Sequence, residues 1–72
     1  MLEAIARIVK AARERAQLSL DDVSRESGVA AAAIASLERG QPGMATTELF
    51  DLARVLFLDP AALLGGRYAN GR

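Results

Sequence analysis

No cysteine, histidine or tryptophan occurs in this sequence, and aromatic residues make up only 4% of it. The lack of cysteine excludes disulfide bonds, and the lack of both cysteine and histidine leaves few ligands for a zinc site. The lack of histidine also removes the side chain that most often exchanges protons near neutral pH. No nucleophile–base pair, carboxylate pair or phosphate-binding loop is visible. We therefore expect no metal, no cofactor and no enzymatic activity.

The sequence also lacks any long hydrophobic run. None of its apolar stretches approaches the length of a membrane span. Near the N-terminus, Glu3, Arg7 and Lys10 recur at helical spacing, unlike the uninterrupted apolar core of a signal peptide. We therefore expect a cytoplasmic protein with no membrane partner.

An excess of basic charge is missing as well, since the formal net charge is zero. Residues 1–18 hold four cations and two anions, whereas residues 19–40 hold two cations and four anions. Non-specific DNA binding normally depends on a broad basic surface that neutralises phosphates. Because this chain has none, any contact with DNA must depend on a few well-placed cations.

Hydrophobic residues, by contrast, make up 51% of the 72 residues, enough for one small helical domain. A domain of this size gains from further burial, which favours a homodimer. Apolar periodicity, capping residues and glycines predict five helices, at about residues 2–16, 20–27, 31–38, 46–56 and 60–64. We assign residues 1–66 to the domain and residues 67–72 to a flexible tail or the start of a linker.

Residues 17–40, QLSLDDVSRESGVAAAAIASLERG, predict two short helices joined by a tight turn. Ser19 stands where the first of these helices needs an N-cap. Gly28 stands where the chain needs a left-handed residue, and Val29 is expected to anchor the turn in the core. This layout is typical of a helix-turn-helix that reads DNA.

The stretch from Ile8 to Leu64 resembles the Cro/CI-type (XRE) helix-turn-helix domain of phage repressors and bacterial regulators. The matching residues include Leu18-Ser19-Leu20, Gly28-Val29, Ile34, Leu37-Glu38-Arg39-Gly40, Leu49, Leu52-Ala53 and Leu63-Leu64. The run I-x-x-L-E-R-G that begins at Ile34, together with Gly28-Val29 before it, is quite specific to this family. The resemblance implies a compact, all-α, five-helix fold like that of lambda repressor. It also implies a transcriptional regulator that binds double-stranded DNA with its third helix in the major groove.

The resemblance places the base-facing positions of the third helix at Ala31, Ala32, Ala35 and Ser36. Relatives usually hold Gln, Arg, Ser, Thr or Asn at several of these positions, and the amides and guanidinium groups can pair with two atoms of one base edge. Alanine offers only a methyl group, which can contact the methyl group of thymine. We therefore expect weak direct readout that rests on Ser36 and on DNA shape.

Phosphate contacts are expected, again from the resemblance, at Ser19, Arg25, Arg39 and Gln41. Ser19 stands at the positive end of the second helix, where backbone amides favour an anion. The plainer alternatives are that Ser19 only caps its helix and that Arg39 only pairs with Glu38 or a helix carbonyl. We expect Glu38 itself to bond to neighbouring backbone or to Arg39.

Two further expectations concern side chains away from the reading helix. Arg13 and Arg15 are expected to be solvated cations that complement the dipole of the first helix. Met44 and Ala45 replace the Pro-Ser pair that often begins the fourth helix in relatives, so we expect its cap to shift to Thr46.

Phe57 stands where relatives commonly have glycine after the fourth helix. Together with Phe50 and Leu58, it is either packed in the core or part of a homodimer surface.

Two hypotheses on function follow. The domain regulates transcription as a homodimer on two half-sites about one helical turn apart. Alternatively, it binds a protein partner through its alanine-rich third helix, since fold alone does not decide function.

Overall fold

The computed structural model of the chain describes residues 2–63. Within them, four helices of eight residues or more follow one another: α1 (Leu2–Arg15), α2 (Leu20–Ser27), α3 (Ala31–Glu38) and α4 (Thr46–Leu56). A single further turn of helix, α5, spans Pro60–Leu63, and no strand occurs among the described residues. The predicted all-α fold is confirmed, and the bounds of the four longer helices agree with the prediction within one residue. The predicted helix end at Leu64, the domain end at residue 66 and the tail at 67–72 lie outside the described residues.

One hydrophobic core joins the helices. α1, α3 and α4 contribute apolar side chains spaced three or four residues apart, so that a single face of each is buried. α2 contributes Val23, α5 contributes Leu63, and Val29 comes from the turn between α2 and α3. The core consists of Ile5, Val9, Ala12, Val23, Val29, Ile34, Leu37, Leu49, Leu52, Ala53, Leu56 and Leu63. Each fully buried Val, Leu or Ile side chain contributes about 1.5–3 kcal/mol. α3 packs against α1 and α2 around this core, which fixes the orientation of the helix that would read DNA.

Hydrogen bonds close both ends of α2, and those at its C-terminal end hold the turn that leads to α3. The Ser19 hydroxyl oxygen accepts a bond from the Asp22 amide, and the Ser19 amide donates to Asp22 Oδ2, each at 3.0 Å. Gly28 has φ 80°, and its amide donates to the Ser24 carbonyl. Val29 is 2% exposed, and its amide donates to the buried Ser27 hydroxyl oxygen. The predicted cap, left-handed glycine and turn anchor are therefore confirmed.

The start of α4 differs from the prediction. The cap residue is Ala45, with ψ 152°, and Thr46 is already the first residue of the helix. Alanine has no side-chain acceptor, but Glu48 Oε1 accepts a 3.0 Å hydrogen bond from the Ala45 amide. The expected cap at Thr46 is therefore wrong, because Glu48 secures the helix start from inside the first turn.

The end of α4 is closed by an unusual residue. Phe57 adopts a left-handed conformation, with φ 58° and ψ 41°, where glycine has no steric penalty. Its side chain is 95% exposed, whereas that of Phe50 is 42% exposed. Leu58 is half-buried and packs against the core. The alternative that Phe57 lies in the core is therefore wrong, because the left-handed cap directs its ring to solvent.

Candidate nucleic-acid interface

A partly buried ion pair fixes α3 against α1. Arg13 Nε lies 2.7 Å from Glu38 Oε2, and Arg13 Nη2 lies 2.9 Å from Glu38 Oε1. A third bond runs from Arg13 Nη1 to the carbonyl oxygen of Leu18, in the loop that leads into α2. The side chains are only 14% and 8% exposed. One guanidinium group therefore joins the end of α1, the start of the helix-turn-helix and the end of α3.

This pair corrects two expectations. Arg13 is not a solvated cation, and Glu38 does not pair with Arg39. The hydrogen bond and the charge of Glu38 raise the pKa of Arg13 above its ordinary value, against the opposing effect of burial. Sequence reasoning missed the pair because its members are 25 residues apart. The available signal was that each follows a core residue directly, Ala12 and Leu37, and so lies at the edge of a buried stripe.

The predicted base-facing residues form what we call the reading face, consisting of Ala31, Ala32, Ala35 and Ser36. Ala32 is exposed, and the other three are half-buried. Ala32, Ser36 and Arg39 are spaced by four and three residues, so they follow one another along a single side of the helix. Three of the four residues on this face present methyl groups, and Ser36 alone presents a hydroxyl group.

The structure brings Ser36, Arg39 and Gln41 together at the end of α3. Arg39 Nη2 lies 3.3 Å from Ser36 Oγ and 3.4 Å from Gln41 Oε1. Gly40, at φ 81°, turns the chain so that the Gln41 amide donates to the Ser36 carbonyl oxygen at 3.0 Å. A residue predicted to face bases and two predicted to face phosphates thus form one polar cluster.

The predicted phosphate residues of α2 have partners within that helix. Arg25 Nη2 lies 2.7 Å from Asp22 Oδ1, and both side chains are substantially exposed. Hydrogen bonds from Ser19, together with the charge of Arg25, lower the pKa of Asp22 below its ordinary value, so the carboxylate stays ionised. The charge of Arg25 is therefore matched locally, and the Ser19 hydroxyl group is engaged as a cap. The cap engages the Asp22 amide and leaves the amides of Leu20 and Asp21 out of its hydrogen bonds.

A family model described as "Helix-turn-helix" (HTH_3) matches residues 9–63 of this chain. The chain belongs to the HTH_3 helix-turn-helix family. It is also similar to the crystal structure of an HTH_3 family transcriptional regulator from Vibrio cholerae, with a TM-score of 0.77 and 28% sequence identity. That match covers 90% of this chain and 36% of the other, so this chain spans about a third of that regulator's length. No curated protein gives a significant match.

Family membership confirms the resemblance drawn from the I-x-x-L-E-R-G and G-V residues. Phe57 is 95% exposed, so its ring covers no core and offers apolar surface to solvent.

No helix among residues 2–63 is long and apolar enough to cross a bilayer. No group of three or more acidic, cysteine or histidine side chains that could hold a metal ion occurs in the same residues.

Proposed function

We propose that this HTH_3 domain binds double-stranded DNA as a transcriptional regulator, with α3 lying in the major groove. The observation that carries the proposal is the α2–turn–α3 unit. It is capped by Ser19, turned by Gly28 and fixed against α1 by the pair of Arg13 and Glu38. A regulator from Vibrio cholerae with the same fold supports it. The proposal includes no catalytic activity.

Base contacts in this proposal come from the reading face. The methyl groups of Ala31, Ala32 and Ala35 would lie against thymine methyl groups, and the Ser36 hydroxyl group would bond to a base edge. A missing bidentate contact forgoes about 1–3 kcal/mol of discrimination. Readout by these four residues is therefore weak, and DNA shape contributes a larger share of the specificity.

Phosphate contacts would come from few groups. The amides that follow Ser19 would bind one phosphate at the positive end of α2, and Arg39 and Gln41 would lie close to the backbone at the end of α3. Arg25 would contribute less, because Asp22 already neutralises it. With so few cations, affinity for random DNA should be modest and should fall with salt by about 0.9 log units per log unit of salt for each phosphate neutralised.

Homodimerisation belongs to the same proposal. Two copies joined through Phe50, Phe57 and Leu58 would present two α3 helices to half-sites about one helical turn apart. Such a regulator would occupy a promoter on bacterial or phage DNA, in the cytoplasm of the bacterium.

A second candidate function is binding of a protein partner through α3. Small side chains allow close approach of another helix or backbone, and the acidic residues Asp21, Asp22 and Glu26 on α2 disfavour a phosphate backbone. The two functions differ in their ligand, so DNA binding itself separates them.

The test is to incubate the chain with a pool of random duplexes at low and at moderate salt, and to sequence the duplexes that stay bound. Enriched, half-symmetric sites whose affinity falls with salt would support a sequence-specific regulator. Retention without a motif would indicate backbone binding that needs another domain for specificity. No retention at low salt would exclude DNA binding and favour a protein partner.

A matched pair of variants shows whether α3 makes the contact. Ala32 lies on the reading face and Ala11 lies on α1, and both are exposed alanines within a helix. Ala32→Glu should abolish retention, because it brings a carboxylate to the DNA surface. Ala11→Glu adds the same charge elsewhere and should leave retention nearly unchanged. Equal losses in the two variants would count against α3 as the binding element.

A further inference from the structure

The guanidinium group of Arg39 turns back along α3 towards the reading face. Arg39 follows the last residue of the helix, yet its Nη2 reaches Ser36, one turn earlier, at 3.3 Å. Because Ser36 is the one hydroxyl residue of the reading face, this bond brings a guanidinium group to the edge of a surface otherwise made of methyl groups.

The cluster leaves most of the guanidinium donors available. Both of its side-chain hydrogen bonds use Nη2, to Ser36 Oγ and to Gln41 Oε1. A guanidinium group has five N–H donors, so those of Nη1 and Nε remain for a ligand. Its charge is also uncompensated by its neighbour in sequence, because the Glu38 carboxylate is engaged by Arg13.

We propose that Arg39 reads a guanine in the major groove, with Ser36 and Gln41 as positioning residues. This inference rests on the proposed DNA-binding function and changes the role of Arg39 from phosphate contact to base contact. The planar, forked donors of arginine match the O6 and N7 acceptors of guanine, and none of the four residues of the reading face can pair in this way. Holding the guanidinium group beforehand reduces the conformational entropy lost on binding.

The base pairs of each half-site are therefore read with different strengths. Guanine preference is concentrated at the base pair next to the end of α3, and the positions next to the alanines discriminate weakly. A domain whose reading face is nearly all methyl groups therefore still has one strong specificity contact.

The test compares lysine and alanine at position 39, using the same random duplex pool. Lysine keeps the positive charge but lacks the forked pair of donors. If Arg39 reads guanine, Arg39→Lys lowers the preference for guanine at one position of each half-site by about fivefold to a hundredfold. Its affinity for random duplex and its salt dependence stay close to those of the unaltered chain. Arg54→Lys, a change at an exposed arginine of α4, is the matched control and should leave the motif intact.

Ser36 has its own variants. Ser36→Ala removes the acceptor that holds Arg39, and it should weaken the guanine preference at the same position as Arg39→Lys. Ser36→Thr keeps a hydroxyl group and should restore the preference. A merely structural role for Ser36 would change unfolding stability rather than one position of the motif, and thermal unfolding of each variant measures this.

Two results overturn the inference and are distinguishable from each other. If Arg39→Lys keeps the guanine position, while Arg39→Ala weakens all duplexes equally and reduces the salt slope by about 0.9, Arg39 contacts only phosphate. The proposed function then stands without this inference. If the unaltered chain retains no duplex, the proposed function and the inference both fall.

Discussion

Arg13 and Glu38 form a two-bond ion pair between α1 and the end of α3, at 2.7 and 2.9 Å. The pair connects residues 25 positions apart, and the third bond of Arg13 extends to the entry of α2. It lies behind the helix that would read DNA rather than on its reading face. Its role is therefore to fix the orientation of α3, and its loss should appear first in stability.

We expect Arg13→Met to lower the free energy of unfolding by about 3 kcal/mol, because it leaves the Glu38 carboxylate largely buried without its cation. The double variant Arg13→Met/Glu38→Leu should recover most of this loss, since it removes both charges and keeps apolar volume. Urea unfolding followed by circular dichroism measures both. Arg54→Met is the control, because the exposed pair of Arg54 and Asp51 should contribute less than about 1 kcal/mol. Similar losses at Arg13 and Arg54 would show that burial of the first pair has no energetic consequence.

Two left-handed residues should respond oppositely to substitution. Gly28 has φ 80° and no atom within 4 Å of an added Cβ, so Gly28→Ala isolates backbone strain and should cost about 1–2 kcal/mol. Phe57 has φ 58° and a ring that is 95% exposed, so Phe57→Gly relieves strain while losing little contact. After the added entropy of the unfolded chain, the net gain should be about 0.5 kcal/mol. Thermal unfolding at several protein concentrations measures both, and a loss at Phe57→Gly that is independent of concentration would contradict the strain argument.

The capping box of α2 should be sensitive to acid. Hydrogen bonds from Ser19 lower the folded-state pKa of Asp22 below its ordinary value of 3.8. The folded protein therefore binds this proton less tightly than the unfolded chain does. The stabilisation is fully present above the unfolded-state pKa and is lost as the pH falls through the lower, folded-state pKa. Titration of the Asp22 carboxyl group by NMR should show the lowered value, and Asp22→Asn should flatten this part of the pH dependence of unfolding. A carboxyl titration at the ordinary value would refute the proposed linkage.

Replacing the exposed aromatic ring tests the proposed homodimer. Phe57→Glu should leave the helical circular dichroism unchanged, because the ring contributes no core contact, and it should shift the sedimenting species to monomers. Thr47→Glu is the control, since it adds the same charge at another exposed residue near the start of α4. An unchanged mass in the Phe57 variant would exclude Phe57 from any dimer surface. A mass that falls in both variants would point to charge rather than to the aromatic contact.

The sequence alone predicted the features that depend on neighbouring residues. The bounds of α1 to α4 followed from apolar periodicity, and the roles of Ser19 and Gly28 followed from capping and from the left-handed conformation. These features depend on residues within one turn of each other, so a single stretch of chain contains all the information needed. The family followed in the same way, because its signature is a set of residues at fixed spacing.

Tertiary structure alone decided the remaining features. The sequence suggested a solvated Arg13, but packing of α1 on α3 brings the Glu38 carboxylate to it. It left Phe57 either in the core or on the surface, and the left-handed cap of α4 places it outside. The sequence assigned Ser36 to a base and Arg39 to a phosphate, yet at the end of α3 Arg39 Nη2 lies 3.3 Å from Ser36 Oγ. Side-chain partners depend on which helix faces meet and on how each helix ends. Both depend on the packing of the whole core rather than on local spacing.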